Sequence, residues 1–174
     1  MKLIHSLALT AIASLFSLTS SCAQKCNLDV DEVDQFTKEH IKAGTNKVGG
    51  IMWHWNLTLK KSGKDYGWEM KIVLNGHIPE PIRKGDIIYC KLENDKVVQL
   101  VADNDYAPVH AINGSAIVTQ FVPKGTLDEA AMKTFSESPL SEMRVALSGN
   151  KLEPKITGKQ GENIQNIAHC ILMP

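Results

Sequence analysis

Five histidines follow residue 24: His40, His54, His77, His110 and His169. No two of them lie within four residues of each other. Histidine metal sites usually draw a close pair plus a distant third ligand. This spacing therefore predicts no metal centre, although folding could converge three of them, for instance His54, His77 and His110. The stretch "NLDVDEVDQFTKE" gathers Asp29, Asp31, Glu32 and Asp34. It lacks the central glycine that a calcium loop needs and reads as a solvated acidic turn. Nucleophile elbow, zinc-protease helix, phosphate loop and dinucleotide fingerprint are all absent, as is any C-x-x-C. Cys90 falls on the apolar side of "DIIYCKL", with Ile88 and Leu92; a thiol buried there is inert. No cofactor is implied.

What remains are two polar loops, "NGHIPEPIRKGD" and "DNDYAPVHAING". They carry Tyr106, His77 and His110 as candidate anchors for a partner protein or a glycan. The absent motifs favour such a non-catalytic binding module. The alternatives are a hydrolase using Asp103, Asp105 and His110 with Glu80 as a partner, or a purely structural lipoprotein.

The elements that would position these loops read mainly as strands. "IMWHWNLTLKK" puts Ile51, Trp53, Trp55, Leu57 and Leu59 on one face, and "YGWEMKIVLN" answers with Trp68, Met70, Ile72 and Leu74. That period of two, around the turn "SGKD", predicts a hairpin. Three tryptophans on paired strands could form an exposed aromatic platform, but the aliphatic neighbours on the same face favour a core. "DIIYCKLENDKVVQLVA" is a second hairpin, "AIVTQFVP" a further strand, and "EMRVALS" with "KLEPKIT" a last pair. Helical spacing arises in "TLDEAAMKTF", with Thr126 and Glu129 as a capping box. It returns in "GENIQNIAHCIL", where Ile164, Ile167, Ala168 and Ile171 form one stripe. Some eight strands joined mostly by tight turns, with two short helices, predict a mainly β, antiparallel sandwich or partly open barrel.

The first 23 residues carry one charge, Lys2, and an apolar run ending in small residues. This is the anatomy of a secretory signal peptide, with a single domain over 24–174. Ser21 and Ala23 suit cleavage before Gln24; "LTSSC" offers Cys22 as a lipidation site instead, the only membrane tether in view. The 19 basic and 19 acidic residues balance, which disfavours nucleic acid as a partner. Cys26, Cys90 and Cys170 remain after Cys22. A disulfide between Cys26 and Cys170, at opposite ends of the domain, is the favoured pairing; three free thiols stay open, since spacing does not fix connectivity.

At "EVDQFTKEHIKAG", "IRKGDIIYCKLENDKVVQL" and the terminal "IAHCIL", the chain resembles a group of small exported bacterial proteins of uncharacterised function. That group shares an acidic D-x-F-T opening after an N-terminal cysteine, a KGD-led hairpin and a final helix bearing a cysteine. Here "END" replaces a glycine-containing turn, and "FTK" stands for "FTG". The resemblance implies a scaffold with cysteines near both ends, which supports the Cys26–Cys170 pairing. It also implies an exported protein of a Gram-negative bacterium, periplasmic, outer-membrane tethered or secreted. It brings no catalytic residues.

Overall fold

The computed structural model describes residues 26–50, 55–114, 116–147 and 149–174. The leader, Cys22, Gln24, Trp53 and His54 lie outside the described residues.

Two antiparallel sheets face each other across one core. The larger runs β1 (Val30–Val33), β2 (His40–Val48), β3 (Trp55–Ser62), β4 (Asp65–Asn75), β8 (Ala116–Phe121) and β7 (Val109–Asn113), with β9 (Lys124–Leu127) also pairing with β4. The smaller has the order β11 (Asn150–Leu152), β10 (Leu140–Leu147), β5 (Ile87–Leu92), β6 (Val97–Val101). The arrangement is a sandwich; the sheets do not close into a barrel. β4 is long enough for two partners on one side. Its first half pairs with β9 and its second with β8. Between them Val122 and Pro123 interrupt the strand, and the Pro123 carbonyl accepts from the Met70 N–H at 2.8 Å.

The alternation read in the sequence builds the core. Leu57 faces Met70 and Leu59 faces Trp68 across β3 and β4, and all four are fully buried with Trp55. The described tryptophans are therefore core, not an aromatic platform. Ile88, Cys90, Leu92 and Leu100 answer from the small sheet. Burial of the Cys90 thiol raises its pKa far above the ordinary value and keeps it unreactive at neutral pH.

Two helices seal the layers. α1 (Glu129–Glu137) inserts Met132 and Phe135. α2 (Gly158–Leu172) buries Ile164, Ile167, Ala168 and Ile171 and packs on α1, β2 and β10. Its start is a true capping box. Thr157 Oγ1 accepts from the Gln160 N–H, and Gln160 Oε1 accepts from the Thr157 N–H at 2.9 Å. At Gly161 the helix lies so close to β10 that a Cβ would collide with the Leu140 carbonyl. At Gly125 a Cβ would meet the Val101 carbonyl of the opposite sheet. There the sandwich is pinched, with the Asp103 N–H donating to the Lys124 carbonyl at 3.0 Å.

A disulfide joins Cys26 to Cys170, with Cα atoms 5.6 Å apart, tying the segment before β1 to the last turns of α2. Lys42, buried on β2, donates to the Met173 carbonyl at 2.7 Å and adds a second tie.

Three local readings change. Residues 109–113, read as loop, form β7; His110 and Asn113 dilute its apolar alternation. Thr126 is not a helix cap. It lies in β9, paired with Gly67, and Asp128 caps α1 by accepting from the Ala131 N–H at 2.6 Å. Asp31 and Glu32 sit on strand β1 rather than in a turn. The turn begins at Asp34, whose carboxylate accepts from the Phe36 and Thr37 N–H groups. Those bonds, Thr37's first, hold its pKa below the ordinary value.

Candidate functional site

The loop residues singled out in the sequence fall into two groups. His77 and His110 stack, with ring centroids 4.1 Å apart. His110 Nδ1 lies 3.1 Å from Thr119 Oγ1. Buried Thr119 in turn donates to the Gly76 carbonyl and accepts from the Ile78 N–H, so the pair fastens the loop after β4 to the β7–β8 hairpin. Tyr106 belongs to the second group. Its hydroxyl donates to Asp103, and its main chain pairs with Ile82. Burial first, then the Asp103 carboxylate, pushes the phenol up to about 12. Asp105 accepts from the Lys84 N–H at 2.8 Å. These carboxylates are therefore engaged in holding loops together. Neither of the two grooves described below is lined by them. Among the described residues no group of three or more His, Cys, Asp or Glu could hold a metal ion.

The sequence reading missed the most developed surface, the outer face of the small sheet. Register brings side chains from successive strands into rows there. Gln99, Tyr89 and Arg144 are cross-strand neighbours, and Arg144 Nε donates to Glu153 Oε1 at 2.6 Å. The next row runs Val97, Lys91, Glu142, Lys155. Lys91 lies 3.1 Å from Asp95 and 4.0 Å from Glu142; Asp95 first, then Glu142, raises its pKa.

Alternating charge along a row is what stabilises cross-strand neighbours on a wet sheet face. Here it also frames a depression. A register shift in β10 between Leu140 and Glu142 and the passing strap 153–156, with Pro154 buried, wall off a groove of about 370 Å³. Tyr89 lines it, 40% exposed in the middle of an otherwise paired sheet. The signal was present in the sequence as outward residues of "DIIYCKL" and "EMRVALS", but only the pairing of β5 with β10 reveals that they adjoin.

A second cleft, about 270 Å³, lies between β2 and α2 and is lined by Asn27, Asp29, Thr45, Asn46, Asn163 and Asn166 among others. Its amides are largely structural. Asn46 Nδ2 donates to the Gln160 carbonyl and Asn46 Oδ1 accepts from Asn163, lacing helix to strand.

Comparison with known protein families, characterised proteins and solved structures finds no match to this chain.

Proposed function

We propose that this chain is an exported, non-catalytic binding module of the bacterial cell envelope that holds a neutral glycan in the groove on the outer face of its small sheet. One observation carries the choice of ligand: Tyr89 is flanked across the strands by the Gln99 amide and the Arg144–Glu153 pair. A flat ring offers contact area at little entropic cost, and planar polar groups beside it suit hydroxyl-rich ligands. The main chain of β5 is paired on both sides. A ligand lying on β5 therefore meets its side chains, whereas an extended peptide binds best at a free strand edge. Lys91, Arg144 and Lys155 are offset by Asp95, Glu142 and Glu153, so the groove favours neither anionic nor cationic ligands. Export is supported by the leader anatomy, by the resemblance to exported proteins, and by a disulfide closing 144 residues, a bond that persists in oxidising compartments.

The test is a glycan array followed by calorimetry on the oxidised protein. Tyr89→Ala should weaken any hit by about tenfold or more, the usual loss for a central aromatic anchor, and Tyr89→Phe should keep most of it. If binding instead falls with His77→Ala or Tyr106→Phe while Tyr89→Ala is silent, the loops are the contact surface. Mass spectrometry of the mature protein, unreduced and reduced, reads the export arm: a chain retaining its leader overturns it.

A further inference from the structure

Among the described residues the last strand of the large sheet, β7, pairs only with β8. From Ala107 to Val122 no residue carries a formal charge, His110 aside. Natural edge strands are usually protected by charge, proline or a bulge, and within β7 none is present. Its exposed side chains include large apolar ones beside His110: Ile112 is 82% exposed and Val109 62%, with Ile117 of β8 at 46%.

Ile112 and Ile117 face each other, and His110 faces Thr119. Thr119 in turn lies opposite Leu74, and Phe121 opposite Ile72, so these residues continue the core face of the sheet beyond its covered part.

We infer that β7 is a self-association edge, pairing antiparallel with β7 of a second copy about a two-fold axis at Ala111. The register follows from hydrogen-bond alternation. Asn113 and Ala116 close the hairpin as facing residues with two residues between them. A pair closing so short a turn is hydrogen-bonded. Hence Asn113, Ala111 and Val109 bond toward β8, while the main-chain groups of His110 and Ile112 point away from it. Placing Ala111 against its own copy sets each outward His110 opposite the other copy's outward Ile112, and four main-chain bonds form.

The same step sets Ile112 of each copy over the other's His110, bringing the two Ile112–Ile117 pairs side by side on one face. A C2 contact must be self-complementary. An uncharged edge meets this condition because no like charges are brought together. The opposite edge, β1, would set Asp31 and Glu32 against their copies. The occupant is thus a second copy of this chain rather than a foreign strand.

Sedimentation velocity on the oxidised protein over a wide concentration range should show a reversible monomer–dimer equilibrium. Ile112→Lys should raise the dimer dissociation constant about a hundredfold or more, while Val33→Lys on β1 leaves it unchanged. Circular dichroism checks that both variants fold. Ala111→Cys supplies a second reading: the two introduced thiols meet across the axis and should crosslink in air as a disulfide dimer. A monomer at every concentration, a dimer indifferent to Ile112→Lys, or a failed Ala111→Cys crosslink each overturns the inference. A foreign peptide bound at β7 of a monomeric protein is the first of these outcomes.

Discussion

At one margin of the large sheet, β1 carries Asp31 and Glu32 between its two valines, and Asp31 Oδ1 lies 2.6 Å from His40 Nε2. At the other margin β7 has no charged residue. The β1 margin exposes apolar groups too, Val33 at 57% and Phe36 at 95%, but it sets them among carboxylates. The two ends also differ in anchorage. Beside β1 the chain is tied to α2 by Cys26–Cys170, and Lys42 reaches the Met173 carbonyl. The β7–β8 hairpin has no cysteine and so no covalent tie; it is held by the Thr119–Gly76 hydrogen bond, the His77–His110 stack and the pairing of β8 with β4, which buries Phe121. One end carries charge and a covalent tie, the other neither. Each of the following experiments breaks or sharpens that contrast.

The largest effect should come from the sulfur tie. On the loop-entropy model, a bridge between residues 144 apart stabilises the fold by about 5 kcal/mol, chiefly by restricting the unfolded chain. The double variant Cys26→Ser, Cys170→Ser should lose that amount in urea unfolding. Local opening, read by amide exchange, should rise at residues 28–33 and in the last turn of α2, and not in β7 or β8. A variant as stable as the parent would mean that Lys42 and the α2 packing hold this end without the bridge.

Next come the two places where backbone approaches backbone. Gly161→Ala drives a Cβ at the Leu140 carbonyl, and Gly125→Ala drives one at Val101. Neither obstacle is a flexible side-chain tip, so each substitution should cost about 1–3 kcal/mol as overpacking. Gly161→Ala acts where α2 closes the anchored end. Gly125→Ala acts where β9 approaches β6 near the Asp103–Lys124 contact. Thermal unfolding ranks them, and no change in either would mean that the layers part freely.

How much of this was legible depended on the range of the interaction. The face of Trp55, Leu57 and Leu59, the answering face of Trp68 to Leu74, and the α2 stripe follow from local periodicity because each is a strong repeat. β7 was hidden because five residues holding His110 and Asn113, with Pro108 before and Gly114 after, carry the marks of a loop. Its pairing to β8 outweighs them. The cap of α1 moved from Thr126 to Asp128 because β9 pairing claims the threonine, and an equivalent acceptor stands two residues on. The groove around Tyr89 was legible only as outward positions on two separate strands, not as a site. Tyr89, Arg144 and Gln99 are far apart in sequence, and only register makes them neighbours. Of the three loop residues, His77 and His110 do meet, whereas Tyr106 serves the base of the hairpin.

That base supplies the smallest effect. The Tyr106 hydroxyl donates to Asp103 and stands 3.4 Å from the Lys124 carbonyl. Tyr106→Phe removes a hydrogen bond to a carboxylate at a half-buried site, so the loss should be about 1 kcal/mol, below the figure for a fully buried bond. The pH dependence has a definite sign. The folded phenol is pushed above its ordinary value of 10.0 to about 12, so the unfolded chain releases this proton first. The contribution is whole below pH 10 and fades as pH rises toward 12. Lysines also titrate in that window, so the reading is the difference between parent and Tyr106→Phe in urea unfolding at pH 8, 10 and 11.5. The difference should shrink across the series. A constant difference would show that the hydroxyl acts through packing, leaving His110, Thr119 and Gly76 as the hydrogen-bonded link that holds β7 at its base.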